Sequence, residues 1–406
     1  MRKAPAPSHS RLSRESLRSS LPLLRLLDRD GALSQIEAAR RLCMTPGTCN
    51  LHLQRLEQEH LVRRANLVAN GGKGRPTIVW DIDCASNAVL VFVFDGPFFQ
   101  AALLDFAGQP LLEQRFDLSR ARKRGDVEAA IETFTCAALA LSERNHIRVR
   151  QVVGGFPGLL DPTDGSVRHA VNFPALDGLS LLDMFGRHHL PAWAASLSLC
   201  FFFGETAEQA PDATTMVLHW DLGVGVICGR GETVLSMQLD RDGVPEIPEI
   251  GHICIEPNGR QCPCGQRGCL EAYAGGQAIV TELASGDIRS LGALITALQA
   301  GRKDALRAAQ RAARTLGRSV AWPVQLMGVE RIVVTGPLSV VFDRLADSFC
   351  LGLADTLAPS LAQGLTVQAS SDPRTRLRAG AFHLAKRLFL DPTSMSRLPR
   401  SPAKLG

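Results

Sequence analysis

The sequence predicts an α/β chain in two parts, a small winged helix-turn-helix head and a larger body of alternating strands and helices. Three observations predict it. Three short helical stretches and a basic hairpin fill the first 80 residues. From Val79 onward apolar or alternating strand runs are separated by glycine turns and helical segments, as in α/β lobes. At 406 residues the chain is too long for one ordinary core. Charge divides at the same place: residues 1–80 hold 14 Lys/Arg against 6 Asp/Glu, and residues 81–406 hold 31 against 34. An anionic partner, nucleic acid or a membrane surface, is therefore implied for the N-terminal part alone.

Residues 1–13 and 391–406 are rich in Pro, Ser and basic residues without apolar periodicity, and are expected to be a basic leader and a flexible tail. The head spans 14–80. Leu21, Leu24 and Leu27 recur at helical spacing up to Gly31, with Pro22 expected in the first turn or at a kink. In SQIEAARRLCM, Ser34 and Glu37 form a capping-box pair, and Ile36, Ala39 and Leu42 share one face. In TPGTCNLHLQRLEQEHL, Thr45 is the N-cap, Pro46 the first helical residue, and Cys49, Leu53 and Leu56 the inward stripe. The short CMT turn between these two helices fits a helix-turn-helix, whose last helix enters the major groove by its N-terminal residues. Thr45, Gly47, Thr48, Asn50 and Gln54 are the candidate DNA contacts: Asn and Gln can pair bidentately with adenine, and hydroxyls reach phosphates or bases. Arg55 and His52 stand beside them. LVRRANLV, ANGGKGRP and TIVWDID read as a hairpin wing that places Lys73 and Arg75 at phosphates or the minor groove. The alternative is a small helical bundle with a solvated basic face.

In the body, TIVWDID, AVLVFVFD and QAALLDF imply a hairpin sheet, and VRQVVGGFPGLLDP and TTMVLHWDLGVGVICGRG are strand-then-glycine segments. ERIVVTGPLSVV is another, after a long helical stretch at 303–327. No apolar run approaches the roughly 18 residues of a membrane span and the start has no signal-peptide core, so a cytoplasmic protein without a membrane partner is expected. Eleven cysteines, an odd number mostly standing singly in apolar runs, suggest buried thiols rather than disulfides. Only Cys262, Cys264 and Cys269 cluster. With His252 they offer one imidazole and three thiolates, a set suited to one closed, structural, tetrahedral Zn²⁺ per chain. Gly265 and Gly268 allow sharp turns between the ligands, and Cys254 reads as a buried strand thiol.

GHICIEPNGRQCPCGQRGCLE, preceded by PEIPEI, strongly resembles the zinc-binding signature of the ROK family (repressors, open reading frames and kinases). GRPTIVWDID, GGFPGLLDP, LGVGV, EIGH, VVTG and RAGAFHLA extend the resemblance along nearly the whole chain. It implies a two-lobed body of the actin and hexokinase type over 81–390, with lobe one at about 81–198 plus helix 376–390, and lobe two at about 199–375. It also implies a homodimer or higher homo-oligomer. Members with a winged helix are usually repressors responding to a sugar or sugar phosphate. The implied function is thus a regulator of carbohydrate-related genes on a double-stranded DNA operator. In sugar-binding members the residues matching Glu249 and Glu271 contact sugar hydroxyls, and the one matching His252 links zinc to the ligand through its two ring nitrogens. Pro157, Gly158 and Asn172 match loops that complete the pocket. Support of the zinc loop is the alternative role for the two glutamates.

The same resemblance argues against phosphoryl transfer, which needs phosphate-cradling amides and a base. The first phosphate loop, usually Asp-X-Gly-Gly-Thr, reads DCASN, with Ala85, Ser86 and Asn87 at the altered positions. Val224 replaces a threonine in the second, and Pro337 and Leu338 replace glycines that pass the adenosine. Counting from Pro191, Ser196 and Leu197 stand where kinases carry an Asn-Asp pair, and leucine cannot accept a proton. No catalytic residue is expected. Many family repressors keep that aspartate to bind sugar, so its loss also bears on the sugar response. Two other readings remain: a sugar kinase with an accessory DNA-binding head, and a DNA-bound scaffold that binds no small molecule.

Overall fold

The computed structural model describes residues 14–391 except 68–76, 97, 162–163, 171–172, 208–212, 232, 237, 240–244, 247–248 and 285. The head comprises α1 (Arg14–Asp30), β1 (Leu33–Ser34), α2 (Gln35–Arg41), α3 (Pro46–Gln58), β2 (Val62–Leu67) and β3 (Thr77–Ile82). Leu21, Leu24 and Leu27 of α1 meet Ala39 of α2 and Cys49, Leu53 and Leu56 of α3 in a buried cluster. β3 lies between β1 and β2 in an antiparallel sheet, so the strands flanking the wing pair from Val62↔Ile82 to Leu67↔Thr77. Of the two places expected for Pro22, the first turn is excluded, since it lies inside α1. Two local expectations change. Ile36 is 74% exposed, because α2 turns Ala38 and Ala39 inward instead. Only half of the capping box forms: the Glu37 N–H donates to Ser34 Oγ (3.2 Å), while the Glu37 carboxylate pairs with Arg40 and Arg41.

Lobe one contains β4 (Asn87–Asp95), β5 (Phe98–Asp105), β6 (Pro110–Asp117), α4 (Arg124–Arg144), β7 (Arg148–Phe156), the ribbon β8 (Leu159–Leu160) and β9 (Val167–His169), α5 (Leu181–Gly186), β10 (Ala192–Ser196) and α6 (Leu197–Thr206). Its sheet order is β10-β7-β4-β5-β6, an antiparallel meander extended by two parallel strands. The hairpin sheet is therefore β4–β6, and TIVWDID belongs to the head. β4 is buried on both faces, as its unbroken apolar run requires: Leu90 and Phe92 pack with Phe134 and Phe185, and Val89, Val91 and Val93 face the opposite core.

Lobe two contains β11 (Thr214–Trp220), β12 (Val224–Arg230), β13 (Thr233–Val234), the ribbon β14 (Gln238–Leu239) and β15 (Pro245–Glu246), α7 (Glu271–Ala274), α8 (Gly276–Glu282), α9 (Leu291–Gln299), α10 (Lys303–Met327), β16 (Arg331–Thr335), α11 (Ala346–Ala354), α12 (Pro359–Ala362) and β17 (Thr366–Ala369). Its sheet order is β13-β12-β11-β16-β17. α10 fills the stretch expected to be helical and touches α11 backbone to backbone: a Cβ on Gly317 would stand 2.1 Å from the Phe349 carbonyl oxygen. α13 (Pro373–Leu390) then returns to lobe one and packs on α6, where a Cβ on Gly380 would stand 1.6 Å from the Cys200 carbonyl oxygen.

Cys49, Cys200 and Cys228 are buried as expected, but Cys43, Cys136, Cys254 and Cys350 are exposed. Cys254 is bridged through its backbone to Cys269 at the edge of an open loop, not enclosed in a strand core. Among the described residues no helix is long and apolar enough to cross a membrane.

Candidate nucleic-acid interface and metal centre

The α2–α3 turn is tight because Cys43 adopts a left-handed backbone (φ 52°) and the Met44 N–H returns to the Ala39 carbonyl. Thr45 caps α3: its Oγ1 accepts from the Thr48 N–H (3.1 Å). Gln35 Nε2 donates to the Pro46 carbonyl (2.8 Å), fixing the start of α3 against α2. Thr45, Gly47, Thr48 and Gln54 are exposed, and Asn50 is half-buried at the margin of the face. Leu51, between Thr48 and Gln54 on the same side, is 47% exposed and was not among the sequence candidates. A major-groove helix can use such an apolar side chain against a thymine methyl. His52 turns inward, its Nδ1 2.8 Å from Ser20 Oγ of α1. Lys73 and Arg75 lie outside the described residues.

In lobe two, the short turn Ile250–His252 and the loop 253–270 bring His252, Cys262, Cys264 and Cys269 together, with all four ligand atoms within 4.8 Å of one another. Such a cluster can hold a metal ion. Cys262 Sγ lies 3.6 Å from His252 Nδ1, and Cys264 Sγ lies 3.7 Å from Cys269 Sγ. The spacing depends on Gly268 (φ 77°), where a Cβ would stand 1.8 Å from the Glu256 carbonyl oxygen.

Glu271 opens α7 two residues after Cys269, and its Oε2 accepts from the Val224 N–H (3.2 Å), which ties the loop to β12. Glu249 keeps solvent access, yet the protein crowding its carboxyl and the nearby Glu271 charge push its pKa up to about 7. Pro157 and Gly158, the latter left-handed at φ 86°, form the turn after β7, and Asn172 lies outside the described residues.

The positions expected from the resemblance to depart from the kinase pattern are occupied by packing. Ser196 caps α6, its Oγ accepting from the Leu199 N–H (3.2 Å), and Leu197 is 6% exposed beside Gly155. In the segment 83–87, Asp83 Oδ1 accepts from the Ser86 N–H (3.2 Å), and the buried Asn87 amide donates to the Asp83 and His60 carbonyls (both 2.7 Å). Pro337 starts a 3₁₀ helix and Leu338 is fully buried in lobe two. A cavity of about 400 Å³ opens between Pro337, Val340 and Ile295 of lobe two and Phe201, Arg374 and Leu377 of α6 and α13.

A helix-turn-helix whose reading face is clear of its core, carried on two kinase-like lobes, defines a DNA-binding transcriptional regulator built on a sugar-kinase fold. The chain belongs to the ROK family, whose profile matches residues 96–387, and a winged helix-turn-helix DNA-binding profile matches residues 21–63. It is 23% identical to the DNA-binding transcriptional repressor Mlc of Escherichia coli (strain K12) over 379 residues, covering 88% of this chain and 90% of that protein. It is also 23% identical to the DNA-binding transcriptional dual regulator NagC of the same organism, over 94% of this chain and 95% of that protein. The crystal structure of a ROK family transcriptional regulator, a homolog of the E. coli MLC protein, superposes with a TM-score of 0.77 at 21% identity, covering 94% of this chain and 98% of that chain.

Proposed function

We propose that this chain is a cytoplasmic repressor of carbohydrate-related genes, whose head reads a double-stranded operator while its body holds one structural zinc and senses a sugar or sugar phosphate as a homodimer or larger homo-oligomer. The observation that carries it is the exposed row Gly47, Thr48, Leu51 and Gln54 at the capped start of α3. Lys73 and Arg75 of the wing would add phosphate or minor-groove contacts. The donor set fits zinc. Tetrahedral Zn²⁺ with thiolate and imidazole ligands has S···S edges of about 3.8 Å and S···N edges of about 3.6 Å, from bond lengths of about 2.3 and 2.05 Å; the corresponding separations here are 3.7 and 3.6 Å. The ion would lock loop 252–271, and with Nδ1 facing it, Nε2 of His252 would be left for the ligand, to which Glu249 and Glu271 would add carboxylates. Pro157, Gly158 and Asn172 would close that pocket from lobe one.

The kinase-like body carries no phosphoryl transfer in this reading, because Leu197 replaces the base and the segment 83–87 is closed by its own hydrogen bonds. Leu197 also favours a second reading, a DNA-bound body that takes no small molecule. Thermal-shift titration of the full chain with glucose, N-acetylglucosamine and their 6-phosphates separates the two: a saturable rise supports sensing, and no rise with any of them supports the scaffold. DNA reading is tested by selecting duplexes from a random library with the full chain. Recovery of a common motif is expected, and no enrichment would overturn the proposal.

A further inference from the structure

The C-terminal end of α3 is gripped by the body. A helix end leaves carbonyls without partners and favours positive charge. Here Arg150 Nη2 donates to the Glu59 carbonyl (2.6 Å), Arg148 Nη1 reaches the same carbonyl (3.3 Å) and the Glu59 carboxylate (2.7 Å), and Asn87 Nδ2 donates to the His60 carbonyl (2.7 Å). Arg150 Nε also donates to Asn87 Oδ1 (2.6 Å), so the fully buried Asn87 joins the two grips. His60 is left-handed (φ 55°), which turns the chain out of α3 and presents these carbonyls to lobe one. Arg148 and Arg150 open β7 ahead of the residues that pair with β10, which begin at Val152, and Arg150 stands at the register shift between β7 and β4. Arg150 is half-buried there, and a guanidinium withdrawn from water is costly unless something polar covers it, which the end of α3 does. Desolvation and the neighbouring Arg148 lower Arg150 to about 10, which leaves it charged at neutral pH. A separate contact lies alongside: Lys386 of α13 pairs with Asp28 of α1 (2.5 Å), and Arg25 of α1 with Asp391 (2.7 Å).

We propose that Arg150, acting through Asn87 and the Glu59 carbonyl, is a positioning residue that sets the attitude of the recognition helix relative to lobe one. The segment 83–87, which in a kinase of this fold would face phosphate, serves here as the joint between head and body. β7 runs from this joint to the turn holding Pro157 and Gly158, so a movement of that turn has a direct path to α3. Arginine is required because one planar guanidinium must meet Asn87 Oδ1 and the Glu59 carbonyl together; lysine presents a single point charge.

The inference rests on the proposed DNA-reading function, and its test separates the two. With the full chain, Arg150→Met is expected to weaken binding to a selected duplex by about 10- to 100-fold, the scale of a lost charged hydrogen bond, while affinity for a random duplex of equal length stays within about twofold. Arg150→Lys should recover part of the loss, and Glu59→Gln, which keeps the carbonyl, should bind nearly as the parent does. Unchanged binding of Arg150→Met to both duplexes, or equal loss on both, would overturn the assignment. Hydrogen exchange on the unmodified chain needs neither DNA nor a folded variant: the His60, Leu61 and Asp83 amides should be protected to the level of β7. If the head exchanges orders of magnitude faster than β7, the joint does not exist. If no duplex is selected at all, the functional reading fails while the exchange result still decides the joint.

Discussion

In the proposed reading, base discrimination rests on single side chains at the start of α3. Gln54→Ala or Thr48→Ala is expected to cost about 1–3 kcal/mol on a selected duplex and almost nothing on a random one. Asn50→Ala should cost less, since Asn50 sits at the margin of the exposed face. Competition binding with both duplexes checks this, and equal losses would move the reading face elsewhere. Zinc has the same dependence on individual ligands. Freshly purified protein should contain about one Zn²⁺ per chain, and Cys264→Ser should lose it and lower the melting temperature of the body. Unchanged metal content in that variant would remove the site. The start of α3 and the cluster of His252, Cys262, Cys264 and Cys269 were legible in the sequence because their signals are local: Thr45-Pro46 fixes where the helix starts, and three closely spaced cysteines with a histidine form a ligand set. Ile36 was expected on a shared apolar face of α2 and is exposed, and Leu51 carried no signal that marked it as a contact. Helical spacing shows that apolar residues share a face, but in helices of 7 and 13 residues it does not show which face the rest of the chain covers.

At the scale of elements, two helix pairs depend on glycine. α6–α13 and α10–α11 approach so closely that a methyl group at Gly380 or Gly317 meets a carbonyl oxygen. Gly380→Ala and Gly317→Ala are each expected to destabilise by about 1–3 kcal/mol or more. Gly292→Ala, in α9 with nothing within 4 Å of the added carbon, should change stability by less than about 1 kcal/mol, towards gain. Urea denaturation reads all three, and a neutral Gly380→Ala would mean that the helices separate more easily than their contact suggests. The strand and helix order of the body was readable from periodicity. The head-to-lobe joint was not, because Glu59, Asn87 and Arg150 lie far apart in sequence and only the order β7-β4 brings them together.

For the whole molecule, the kinase fold and the regulator's head make competing claims. In the proposed reading Leu197, Asn87, Val224 and Pro337 weigh for the regulator, since the side chains at these positions pack or bond to the backbone. No turnover of ATP with glucose or N-acetylglucosamine is expected, and Leu197→Asp should not restore it while Ala85, Ser86 and Pro337 stay in place. Turnover at ordinary kinase rates, roughly 1–100 per second, would contradict this.

The central claim, that the chain reads DNA through α3 on a body that pairs with its own copy, is met most directly by footprinting the full-length protein on a selected duplex at several salt concentrations. Two protected half-sites about one helical turn or more apart are expected. Affinity should fall steeply and linearly on a log–log salt plot as basic residues displace counterions. A single unpaired footprint, or binding that ignores both sequence and salt, would contradict it.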